Sequence, residues 1–84
     1  MSDIKADVFL DITNLVCPMT FVKAKATMED MEVGQIIEIR MNEGEPIQNV
    51  PRSLKEEGHE ILKVINNNDG TYTIFVKKGG LYEV

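Results

Sequence analysis

An 84-residue chain is sized for one domain, near the lower limit at which a hydrophobic core holds a fold unaided. Its 43% hydrophobic and 27% charged residues suit a soluble globular chain, and no apolar run nears the ~20 residues of a membrane helix. A net charge of −5 argues against nucleic-acid binding, which needs a cationic footprint, and one cysteine excludes an internal disulfide or an all-cysteine metal site.

The opening MSDIKADVF has no basic-then-apolar leader, so a reducing, cytoplasmic location is the expectation. Residues 7–13, DVFLDIT, alternate, with Val8, Leu10 and Ile12 on one face of a half-buried strand. Asn14 then ends the strand and is expected to take a left-handed conformation. Pro18 stands where helices accept proline, at the first position. Phe21, Ala24, Met28 and Met31 recur at helical spacing, with Met19, Val22 and Ala26 beside them. The spacing predicts a helix from Pro18 to Met31, closed by Gly34.

QIIEIRM, 35–41, alternates again and predicts a second strand, followed by a loop at 42–46. A second helix is expected from Ile47 to Glu57, stopping at Gly58, with Pro51 blurring its start. ILKVIN, 61–66, and TYTIFVK, 71–77, are strands joined through Asn67–Gly70, a hairpin signal.

The order βαβαββ places two helices on one face of a mixed four-stranded sheet, a two-layer α/β sandwich of the α+β class. Phe9, Ile36, Ile65 and Phe75 fall on the uncovered face, where they either meet a partner or are the scattered apolar surface of a small domain.

The lone Cys17 precedes Pro18, so it is expected to cap the first helix. Free N–H groups and the helix dipole would favour thiolate there, holding its pKa below the free value of ~8.5. A buried, inert cysteine is the alternative. Acyl transfer would need a histidine; the single His59 sits in the turn Gly58–Glu60 and reads as locally satisfied. Position 20 is threonine, so there is no CxxC pair. What remains is chemistry of one thiolate: carrying sulfur as a persulfide, disulfide exchange or redox sensing. No cofactor and no metal site are expected. Glu43, Glu45, Glu56 and Glu57 read as surface acids, and Lys23 and Lys25 as a solvated helix face.

LDITNLVCPMTFVKAK, 10–25, resembles the LDxxGLxCPxP stretch of the TusA/SirA-like sulfur carriers, with Leu10, Asp11, Leu15, Cys17 and Pro18 matching. EPIQNVPRSLKEEGHE, 45–60, and YTIFVKKGG, 72–80, are similar to that family's second helix with its Gly-His turn and to its closing strand. The resemblance implies a single TusA-like domain over 1–84 with its core at about 8–80, and strand order 1-2-4-3. It implies a sulfurtransferase-type carrier whose Cys17 accepts a persulfide sulfur from a desulfurase or rhodanese-type donor. That sulfur would pass to an acceptor protein, as in tRNA thiolation, cofactor synthesis or sulfur oxidation. The alternative is a regulatory, non-catalytic interaction module of the same fold. A monomer that contacts neither nucleic acid nor membrane is expected.

Two positions depart from the family pattern. Asn14 replaces a glycine, a mild change if the turn needs a left-handed residue. Thr20 replaces the second proline; it restores an N–H and adds a hydroxyl, either of which could hydrogen-bond the Cys17 sulfur. Asp11 is expected to order the turn or, failing that, to guide a proton near Cys17. Gly79-Gly80 also suggests a ubiquitin-like carrier, but the element order differs from a β-grasp.

Overall fold

The computed structural model describes residues 5–15 and 19–79. The elements are β1 (Val8–Asp11), α1 (Met19–Glu29), β2 (Ile36–Asn42), α2 (Glu45–Glu56), β3 (Glu60–Asn66) and β4 (Thr71–Lys77). The sheet order is β1-β2-β4-β3, with β1 parallel to β2 and the other pairs antiparallel. The shortest principal extent, 17 Å, is the thickness of one sheet and one helix layer.

Alternation decides which face is covered. Ile37, Ile39 and Met41 of β2 and Ile74 and Val76 of β4 are fully buried, as is Ile12 just past β1. Ala24 and Met28 of α1 and Val50 and Leu54 of α2 close over them. On the other face the register sets Phe9, Glu38, Phe75 and Lys63 in one row across all four strands, and Asp11, Arg40, Thr73 and Ile65 in the next. Phe9 is 58% exposed there; Ile36, Ile65 and Phe75 are half-buried.

Helix boundaries and the buried face of α1 differ from the sequence reading. The regular α1 ends at Glu29, two residues early, because Asp30 and Met31 bond three residues back to Thr27 and Met28 in a tightened last turn. Met19 and Val22 are about half exposed and Ala26 is exposed: α1 turns Thr20, Ala24 and Met28 to the core instead. α2 begins at Glu45, not Ile47, with Pro46 in its first turn and Pro51 inside it. Pro51 removes one helical hydrogen bond, yet the helix continues because Val50 and Leu54 are anchored in the core. Past its end, Gly58 (φ 100°) donates to the Lys55 carbonyl and His59 to the Leu54 carbonyl, a Schellman closure that satisfies the last turn. In β3 a bulge between Ile61 and Lys63 inserts Leu62, which alternation alone does not show.

Candidate functional site

The β1–α1 connection is the expected site, and its described part is tightly specified. Asp11 Oδ1 accepts from both the Thr13 amide (2.9 Å) and the Thr13 hydroxyl (2.7 Å). Leu15 N–H closes the turn onto the Ile12 carbonyl at 3.1 Å. These bonds pull the Asp11 carboxyl below its ordinary value, the Thr13 hydroxyl contributing most and nearby Arg40 adding to it. Asp11 therefore orders the turn as a carboxylate. Asn14 is exposed and does not have a positive φ; among described residues other than glycine only Asn68 does. The left-handed expectation for Asn14 is thus corrected: the Asp11–Thr13 bonds and the Ile12–Leu15 turn reverse the chain without it.

The turn is also braced from β2. Asn42 Nδ2 donates to the Thr13 carbonyl at 2.7 Å. Beside it, Arg40 pairs with Asp69 at 3.0 Å and donates from Nε to the Thr71 hydroxyl, tying the β3–β4 hairpin to the end of β2. Asn42 did not stand out in the sequence, and Asp69 was read only as part of the hairpin signal. The signal was present in the register: if Asp11 faces Arg40 in a parallel pair, Thr13 comes level with Asn42.

Thr20, in the first turn of α1, is 1% exposed, and its hydroxyl has no hydrogen-bond partner among the described residues. Leaving a hydroxyl in that state costs about 1–3 kcal/mol. Cys17 and Pro18, expected to cap and start α1, lie outside the described residues.

His59 is at the other end of the sheet. Its corner adjoins Lys77, opposite Ile36 at the start of β2, whereas Asn42 at the far end braces the turn. Six residues of strand at ~3.3 Å each separate the two by about 20 Å. His59 Nδ1 accepts the Gly79 amide at 3.1 Å, and burial, helped by Lys78, lowers its pKa. It is a locally satisfied neutral imidazole, remote from the turn. Lys25 bridges α1 to Glu57 at 3.8 Å, and Lys23 is exposed. Among the described residues there is no cluster able to hold a metal ion, and no helix is long and apolar enough to cross a membrane.

Residues 8–78 match the family profile described as "Sulfurtransferase TusA". The chain belongs to the TusA sulfurtransferase family. The match spans every described element and encloses the Cys17-Pro18 step. Among TusA-like relatives, the chain is 37% identical over 75 residues to a "Putative sulfur carrier protein" of Archaeoglobus fulgidus, covering 89% of this chain and 85% of that one. It is 34% identical over 79 residues to an uncharacterised protein of Methanocaldococcus jannaschii, covering 94% of this chain but only 28% of that longer one. The fold is that of a SirA-like protein from Desulfitobacterium hafniense, with a TM-score of 0.73 at 19% identity over 87% of this chain and 99% of that one. Family membership assigns the chain to sulfur transfer.

Proposed function

We propose that this TusA-family chain is a cytoplasmic, monomeric sulfur carrier working through a persulfide on Cys17. The carrying observation is that a sulfurtransferase family match encloses a lone cysteine set between a rigid turn and the first turn of a helix. Cys17 thiolate attacks the terminal sulfur of a persulfide on a donor of the desulfurase or rhodanese type. A sulfur–sulfur bond forms on Cys17 as the donor's own sulfur–sulfur bond breaks, and the donor cysteine leaves as thiolate. The exchange is redox-neutral. In the second half the terminal sulfur passes to an acceptor protein and Cys17 returns to thiolate.

The supporting residues have separate duties in this reading. Pro18 fixes the helix start and withholds a backbone donor. Asp11 and Asn14 belong to the turn that delivers the cysteine. The Thr20 hydroxyl, buried and without a partner among the described residues, donates a hydrogen bond to the Cys17 sulfur. No other side chain is required as a base.

The test is mass spectrometry after incubation with a cysteine desulfurase and cysteine. The expected result is a gain of one sulfur atom that is lost on reduction and absent in Cys17→Ala. An unmodified wild-type chain would point to the non-catalytic interaction module instead.

A further inference from the structure

At the end of the sheet remote from the turn, the α2–β3 corner, the end of β4 and Val33 line an open cavity of about 650 Å³. That volume lies within the range of small-molecule sites. Val33, 55% exposed, and half-buried Ile61 give it apolar walls. Its charge is anomalous for this chain. Three of the nine lysines and arginines of a molecule with net charge −5 line it, against the single carboxylate of Glu60.

Lysines near helix ends often serve only to cap carbonyls. That explains Lys78, whose amine bonds the Glu29 and Met31 carbonyls past α1. It does not explain Lys55 and Lys77. The Ser53, Leu54 and Lys55 carbonyls of α2 are met by the backbone of Glu57, Gly58 and His59, and neither lysine forms an ion pair among the described residues. His59 adds a donor: with Nδ1 accepting from Gly79, the neutral ring carries its proton on Nε2.

We propose that this cavity binds a small organic carboxylate, its apolar body against Val33 and Ile61 and its anionic group between Lys55 and Lys77. The site is independent of the sulfur carried on Cys17, so either reading can fail alone.

Amide and imidazole NMR signals of the full chain, titrated with 3-phenylpropionate, test it. The Gly79 amide and His59 ring signals are expected to shift together and saturate, with a dissociation constant on the order of 1 mM for a probe of about ten non-hydrogen atoms. The neutral analogue 3-phenylpropan-1-ol should bind at least about tenfold more weakly, Lys77→Gln and Lys55→Gln should each weaken the acid about fivefold, and Glu60→Gln should tighten it. Equal binding of the alcohol, unsaturable shifts, or the same shifts from inorganic phosphate at equal concentration would overturn the proposal.

Discussion

Thr20 sets two physical demands against each other. Its methyl suits the core stripe shared with Ala24 and Met28, while its hydroxyl is buried and needs a partner that no described residue supplies. Thr20→Val keeps the shape and removes the hydroxyl. The variant is expected to show a raised Cys17 thiol pKa by ultraviolet titration, while its stability to urea changes by less than about 1 kcal/mol. An unchanged pKa would leave the hydroxyl no part in holding the sulfur. Thr20→Pro should raise the pKa too, by removing an N–H. His59 makes a pH prediction. Its folded pKa is below the free 6.5, so folding favours the neutral ring. The unfolded chain takes up the proton first. Stability from this residue is therefore complete above pH 6.5 and declines as pH falls from there towards the folded value. His59→Asn can place an amide oxygen where Nδ1 accepts from Gly79. Its urea midpoint should fall less than wild type between pH 7.5 and 5.

The elements show what was legible in the residues and what was not. β4 lies where its alternation placed it, and the four strands, two helices and sheet order all follow from periodicity, proline and glycine signals and the family resemblance. Local rules failed where tertiary anchoring outweighed them. Core contacts of Val50 and Leu54 carry α2 through Pro51, and the bulge in β3 was not read from the mixed sequence EILKVIN. At the site, Asp11 was legible because it ends the first strand just before the turn, inside the stretch that resembles the family pattern. Asn42 was not, because its partner is 29 positions away. Asn42→Ala should leave the Thr13 carbonyl unpaired, lower stability by about 1 kcal/mol and slow sulfur loading, as measured by a desulfurase time course. At the opposite end the β4 exit crosses the α2–β3 corner so closely that a Cβ on Gly79 would lie 1.9 Å from the Gly58 carbonyl oxygen. Gly79→Ala is expected to cost about 2–4 kcal/mol in chemical denaturation, since backbone must move to admit the methyl.

For the whole molecule, charge and shape act together. A small chain with 14 acidic and 9 basic residues meets partners in a field that salt weakens. If its sulfur donor presents a basic surface, the loading rate in stopped-flow should fall steadily between 50 and 500 mM NaCl, while the rate with a small neutral disulfide reagent stays flat. Phe9, exposed on the uncovered sheet face, is available to the same encounter. The strand order adds a hierarchy. β2 and β4 are paired on both sides, whereas β1 is four residues long and bonded along one edge only. In deuterium exchange the central amides should outlast those of the outer strand by orders of magnitude, because opening that margin does not require melting the middle. The Asp11–Thr13 turn is therefore carried on the shortest strand, at a margin that can open while the middle of the sheet stays paired.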